Sequence, residues 1–488
     1  MFKQKFAVQF GTNLIVKFIT MLAGFFVARF AGPTVLGTIS YGSSFVSIWL
    51  FLTTMFSAGH IKLISEGQNK GNCITTYTYL KFMSVVLFVI VVIICLIISS
   101  NNINMIQIKV ILLLLFSLSI SQIYNILYDS FTAMLLQAKA NIINICNTLI
   151  FHIGRIIIVI LGARAVGLAI WQLIAIILLL PLAYKMYKEL PKGNWDKNLA
   201  RKYFYFGWPM LFVYLIESLI NNSDKLILAH FTSVEELGYY AAAFSLAGSI
   251  FIISNTVGII FFPLFSNYIK EGKWNDLNIK NNTYQTFNIL FVFPIILLLI
   301  IIAKPLLLTL LGLRYESSII PFQIITLATF FVITGLPYGN IIMGMGKFYI
   351  NVLISAIQLI IFILSLFIFV SPNVLNLGAI GLALNLAVGY LYRNIAYIII
   401  SNKLAPLHYD WNNAIKIAII IISSIIFIYI SNITKLYIFY RWIFIIPLYI
   451  IFIYLILYIS GLLKKEHIIM LLDMMNIKKL FVYINEEL

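Results

Sequence analysis

Four polar side chains near the start of the chain, Gln9, Asn13, Lys17 and Thr20, recur at spacings of four, four and three inside an otherwise apolar run. On a helix that spacing puts all four on one face. Lys17 lies about 15 Å into its run by helical rise, too deep to snorkel easily to the surface. An ammonium in such low dielectric attracts a phosphate far more strongly than it would in water. Lys17, with Asn13 beside it, therefore reads as an anchor for a phosphorylated, anionic group. A later run repeats the pattern with Tyr214, Glu217, Asn221 and Asp224, and Ser218 and Lys225 lie alongside.

Ionisable groups inside a bilayer cost roughly 2.5–3.5 kcal/mol each at a helix centre, so they are expected to face a cavity or one another. Glu217 and Asp224, one heptad apart, are the candidates for exchanging a proton or a sodium ion; the alternative is an interhelical salt bridge. Asp224 and Lys225 are sequence neighbours that point about 100° apart on a helix, so they are not expected to pair with each other. Asn221 and Lys225 join Asn13 and Lys17 as cavity groups. Arg155 and Arg393 carry the same phosphate reading as Lys17, with Asp129 as an alternative partner for Arg155 and snorkelling as the alternative for Arg393.

The elements that carry these groups are about fourteen apolar runs, from 7–30 through 238–265 to 440–462. Each is long enough to cross a hydrocarbon core, and runs this continuous are helices rather than the alternating strands of a barrel. With 62% hydrophobic and 10% charged residues and a mean hydropathy of +1.02, the chain needs lipid as its solvent. The net charge of +17 does not point to nucleic acid, because the basic residues lie in short connections between apolar runs. Cys73, Cys95 and Cys146 form no paired motif, so neither a disulfide framework nor a metal site is expected. Lys3 and Lys5 precede the first run without a small-residue cleavage site after it, so that run reads as an uncleaved first helix.

Placing the N-terminus inside puts 21 Lys and Arg residues at the cytoplasmic face and seven outside, which supports an even number of spans with both termini cytoplasmic. The longest polar connection, KELPKGNWDKNLARKYF from Lys188 to Phe204, separates two sets of six runs. ARFAGPTVLG, Ala28 to Gly37, aligns without gaps on AHFTSVEELG, Ala229 to Gly238, at equivalent points of the two sets. The expected division is a six-helix lobe over 1–187, a cytoplasmic hinge loop over 188–204, a second six-helix lobe over 205–402, two additional helices over 403–462 and a basic amphipathic tail over 463–488.

VARFAGPTVLGTISYG, Val27 to Gly42, resembles the aromatic-Gly-Pro and Gly-aromatic turn between the first two spans in the polysaccharide-transporter branch of the multidrug/oligosaccharidyl-lipid/polysaccharide exporter superfamily. NNSDKLILAHF, Asn221 to Phe231, is similar to that family's Asp-Lys/Arg segment late in the seventh span. The resemblance implies an all-α, MATE-like fold: two six-helix bundles around a central cavity, plus two C-terminal helices. It also implies alternating access, with an undecaprenyl-pyrophosphate-linked repeat unit of O-antigen or capsule as cargo in a bacterial inner membrane.

Three rivals are weighed against that expectation. A MATE-type multidrug or cation antiporter needs carboxylates in its cavity, whereas the first stripe offers Lys17 and no acid. A lipid II flippase shares the fold and differs only in cargo. A membrane polysaccharide polymerase needs a large outer loop or a clustered catalytic site, and His60, His152, His230, His408 and His467 are scattered, so no enzyme is expected. No nucleotide-binding loop occurs, GMGKF at Gly344 to Phe348 being too short for one. Cofactors are not expected beyond a coupling proton or sodium ion, and the expected partners are the lipid-linked glycan, the bilayer and polysaccharide assembly proteins around a monomer.

Overall fold

In the computed structural model, the described residues are 2–134, 136–250, 264–407, 410, 412–433 and 442–463, and among them every regular element is helical. The first half holds α1 (Phe2–Ala31), α2 (Pro33–Ser47), α3 (Phe51–Thr54), α4 (Ser57–Ser65), α5 (Lys70–Ser99), α6 (Met105–Ala133), α7 (Gln137–Ile160), α8 (Ala165–Leu178) and α9 (Leu180–Lys188). Next come α10 (Lys197–Phe231), α11 (Val234–Ala247), α12 (264–270), α13 (Trp274–Phe287), α14 (Phe293–Ile301) and α15 (Ala303–Leu311). The last five are α16 (Ile319–Gly344), α17 (Phe348–Val370), α18 (Gly378–Leu404), α19 (Asn412–Ile433) and α20 (Trp442–Ile459).

Among the described residues, ten helices are long and apolar enough to cross a membrane, or eleven if the pair Pro33–Ser47 and Phe51–Ser65, bent by 47°, counts as one span. The three remaining expected runs, 7–30, 238–265 and 440–462, each include residues or side chains outside the described set. The tail is outside it from 464 onward.

Local chemistry fixes the breaks between helices. Gly32, at φ 83°, turns the chain after α1, and Pro33 opens α2, where its fixed φ and missing N–H are harmless. Asn104 and Gln107 form a reciprocal cap on α6, and Asn69 and Asp196 cap α5 and α10. Pro181 divides the 165–186 run into α8 and α9. The 286–311 run begins in a π-helical turn over Asn288–Val292 and breaks again between α14 and α15.

By contact the chain forms two compact units. One comprises 1–245 with 363–382, the other 246–362 with 383–488. This grouping by packing differs from the grouping by sequence repeat: α10, which the repeat assigns to the second lobe, packs on α2, α4 and α5. In the first unit α1 lies along α7, and α6 packs on α2, α7 and α8. Leu63, Leu80, Leu127 and Phe131 fill one core there, and Val46, Phe88, Val110 and Leu115 another. In the second unit α14 packs on α16 and α19 on α20, around Leu290, Ile296, Ile333 and Tyr449.

The connection before α10 is held to the start of α5. Asn194 N donates to Asn72 Oδ1 at 2.9 Å, Asp196 N to Thr76 Oγ1 at 3.1 Å, and Thr75 Oγ1 to the Gly193 carbonyl at 3.0 Å. Gly71 and Gly193 permit this approach, since a Cβ on Gly71 would meet the Lys192 carbonyl oxygen at 2.3 Å.

Candidate functional site

Helix α1 packs along α7, and its polar stripe touches that helix at Thr20. The side chains of Gln9, Asn13 and Lys17 lie outside the described set, so only the helical position of Asn13 and Lys17 is fixed. Thr20, the last member, donates its hydroxyl to the Val16 carbonyl at 2.7 Å and stands 3.1 Å from His152 Nε2. Helix α7 has a stripe of its own, Asn141, Asn144, Thr148, His152 and Arg155, at spacings of three, four, four and three. Sequence reasoning passed over this stripe although its signal matches that of α1. His152 is buried, and among the described residues its Nδ1 has no hydrogen-bond partner.

Arg155 follows His152 by one turn and is half-buried. Its guanidinium lies 5.6 Å from the Phe151 ring centroid. Among the described residues no carboxylate comes within ion-pair distance of it, so the alternative of Asp129 as its partner is not realised. Asp129 instead accepts a hydrogen bond from the Tyr77 hydroxyl at 2.5 Å. The half-buried, acid-free guanidinium of Arg155 can meet an anion brought from outside.

Helix α10 carries Glu217, Asn221, Asp224 and Lys225. Glu217 is exposed, and among the described residues it has neither an ion pair nor a hydrogen bond. Asp224 is buried and pairs with Lys225 at 3.7 Å; its Oδ1 also accepts from the Lys225 backbone N–H at 2.8 Å. Lys225 Nζ donates to the Asn221 carbonyl as well. This overturns the expectation that two neighbours on a helix stay apart. Their Cα–Cβ vectors do diverge, but the four-carbon lysine stem is long enough to curl back across the difference. Ser218 anchors the same face, its hydroxyl donating to the Ile48 carbonyl at 2.8 Å.

Arg393 belongs to the second unit, on α18. Its Nε donates to the Tyr397 hydroxyl at 3.0 Å, and that hydroxyl donates to Asn351 Oδ1 at 2.5 Å. The guanidinium also lies 5.3 Å from the Tyr397 ring centroid, so this cation is tied to its own helix.

A buried polar cluster in the first unit escaped the sequence reading. Lys81, 1% exposed, donates to the Thr53 carbonyl at 2.6 Å and has no carboxylate within ion-pair distance among the described residues. Tyr77, one turn before Lys81 on α5, bonds Asp129 of α6 and stacks on His60 at 4.0 Å between centroids. His60 Nδ1 is 2.7 Å from the Tyr203 hydroxyl and its Nε2 3.0 Å from Ser130 Oγ. Thus α3, α4, α5, α6 and α10 converge on one desolvated network. Its members are far apart in sequence, which leaves no spacing to read.

A family model described as polysaccharide biosynthesis protein matches residues 26–320. No curated protein matches the sequence. Among solved structures, the lipid II flippase MurJ in an inward closed conformation is similar at a TM-score of 0.74 and 15% identity, covering 93% of this chain and 98% of that one. An inward-facing multidrug resistance MATE family transporter of the MOP superfamily gives a TM-score of 0.64 at 11% identity, over 80% of this chain and 94% of that one. A Vibrio cholerae MATE transporter gives 0.52 at 14% identity, over 83% and 95%. At these identities the likeness is one of fold, and it agrees with the all-α, MATE-like architecture the sequence resemblance implies. With more than half of its length matched by the family model, this multi-pass membrane protein belongs to the polysaccharide biosynthesis protein family and has the fold of the MOP-superfamily transporters.

Proposed function

We propose that this protein is a flippase that moves an undecaprenyl-pyrophosphate-linked oligosaccharide repeat unit, of O-antigen or capsule, from the cytoplasmic to the outer leaflet of a bacterial inner membrane. The observation that carries this reading is Arg155: a half-buried guanidinium without an acid partner among the described residues, on the helix packed along the one that bears Lys17. Membership of the polysaccharide biosynthesis family supports a glycan as cargo. Two cations on adjacent helices would complement a pyrophosphate, with Asn13 and, on α10, Asn221 and Lys225 as polar cavity groups and Arg393 as a further cation. The cavity between two six-helix bundles and alternating access are part of the same proposal, as are cytoplasmic termini.

Energy for export is available without a nucleotide. An anion leaving a negative interior gains about 2.3 kcal/mol per charge per 100 mV. Glu217 or Asp224 would add coupling to a proton or sodium ion.

A second reading, a lipid II flippase, draws on the fold likeness to MurJ. Deleting the gene in its host separates the two. The repeat-unit reading expects loss of surface glycan with lipid-linked repeat units accumulating inside while cell-wall synthesis continues. Arrested wall synthesis with intact glycan would favour lipid II, and intact glycan with altered drug tolerance would favour a multidrug exporter.

A further inference from the structure

Where α4 ends and α10 begins, a pocket of about 500 Å³ is lined by Leu63, Glu66, Asn198, Arg201, Lys202, Tyr205 and Phe206. Its charges are unevenly matched. Lys62 sits 3.7 Å from Glu66 and 4.1 Å above the Phe206 ring, so the single acid of the lining already has a cation. Asp196 is occupied in capping α10, accepting from the N–H groups of Asn198 and Leu199. Arg201 and Lys202 are exposed and, among the described residues, have no carboxylate within ion-pair distance. The pocket therefore offers a guanidinium fork and an ammonium to an anion.

The sequence of α10 changes character at this point, from KNLARK to YFYFGWPMLFVY. Lys and Arg followed directly by Tyr and Trp is the pattern of a helix entering a bilayer through its interface. Phe204, Trp208 and Phe212, spaced by four, share one face and all point outward, Trp208 being 64% exposed. Trp208 and Phe212 meet edge to face at 5.4 Å, and Phe204 packs edge-on against Phe56 at 5.2 Å. An apolar track thus leads from the cationic pocket along the helix in the direction of the acyl chains.

We infer that this pocket binds the headgroup of an acidic glycerophospholipid, with Arg201 and Lys202 on its phosphodiester and one acyl chain lying along Phe204, Trp208 and Phe212. The two non-bridging oxygens of a phosphodiester can accept from both the guanidinium fork and the ammonium, and the track requires that the anion carry a hydrocarbon tail. The assignment stands independently of the cargo proposed above.

Native mass spectrometry of the full-length protein, delipidated in detergent and titrated with dioleoylphosphatidylglycerol or dioleoylphosphatidylcholine, tests it. The wild type is expected to retain the anionic lipid at least fivefold more tightly. R201Q/K202Q is expected to lose that preference, R201K/K202R to keep most of it, and W208A to weaken both lipids about equally. Unfolding midpoints of the four proteins, measured alongside, separate a lost site from a lost fold. A preference unchanged in R201Q/K202Q would overturn the assignment. So would inorganic phosphate competing as well as the lipid, which would show a tailless anion site, or undecaprenyl phosphate displacing phosphatidylglycerol from the wild type at equal concentration, which would make the pocket a cargo site.

Discussion

Gly37 and Gly238 occupy the two halves of one reciprocal contact. A Cβ on Gly37 would fall 1.6 Å from the carbonyl oxygen of Val234, and a Cβ on Gly238 would fall 1.9 Å from the carbonyl oxygen of Pro33. In the ungapped match of ARFAGPTVLG on AHFTSVEELG, Pro33 stands opposite Val234 and Gly37 opposite Gly238. Each repeat thus presents the same glycine to the same carbonyl of the other, as two copies related by a local two-fold axis would. The contact joins the first turn of α2 to the first turn of α11, and only glycine allows backbones so close.

Replacing either glycine with alanine is expected to force the two first turns apart. Overpacking against a backbone atom typically costs about 1–3 kcal/mol, and Gly37→Ala and Gly238→Ala should lower the unfolding midpoint in detergent by similar amounts because their surroundings are equivalent. Gly67→Ala is the comparison, since that glycine has open space around it and only its φ of 85° at stake. Unfolding midpoints of Gly37→Ala and Gly238→Ala indistinguishable from wild type would show that the reciprocal contact contributes nothing.

The Gly37 and Gly238 correspondence was legible because it is written in spacing, and the 3-4-4-3 stripe of α7 was equally open to reading. The buried cluster was not. Lys81 sits in YLKFMSVVLFVIVV and Asp129 in another apolar run, and only the packing of α5 on α6 brings Tyr77 to the carboxylate. The Asp224 and Lys225 pair failed for a different reason: reasoning from helical angle alone ignores how far a lysine stem reaches.

Within that cluster, Tyr77→Phe should destabilise the protein by about 1–3 kcal/mol, because Asp129 loses its hydroxyl donor inside a desolvated site. Lys81→Met and Asp129→Asn each remove one charge from the same network. Unfolding of both single variants and the double variant closes a cycle, and a coupling of about 0.5–3 kcal/mol is expected for members of one network. Strict additivity would mean that Lys81 and Asp129 do not sense each other.

Arg155 is a charge whose removal strands no acid among the described residues. Arg155→Gln should therefore change stability by no more than about 1 kcal/mol, the scale of its contact with Phe151. Export of an anionic cargo should fall at least tenfold, while Arg155→Lys, which keeps the charge but not the fork, should retain an intermediate rate. Lipid-linked repeat units accumulating in cells that carry each variant provide the readout. Wild-type export in Arg155→Gln would remove this residue from the cargo path.

Glu217 and Asp224 are expected to differ. Asp224→Asn releases the Lys225 ammonium from its partner and so should lower stability, whereas Glu217→Gln breaks no ion pair or hydrogen bond among the described residues. If coupling resides on α10, one of these substitutions abolishes the dependence of transport on the proton or sodium gradient. An unchanged gradient dependence in both variants removes these two acids from the coupling step.

Outside the spans, Glu189 accepts from Lys139 Nζ at 2.5 Å and joins the end of α9 to the start of α7. That hydrogen bond and the nearby positive charge hold the Glu189 carboxyl below its ordinary value. A depressed carboxylate contributes stability that is fully present above the unfolded value, about 4.3 for glutamate, and is lost as pH falls through the lower folded value. The difference in unfolding midpoint between wild type and Glu189→Gln should therefore be constant from about pH 7 to about pH 5.5 and shrink below it. Because both groups are exposed, the difference should also shrink as salt is raised. A gap that persists unchanged at low pH and high salt would show that the pair acts through packing and not through its charge.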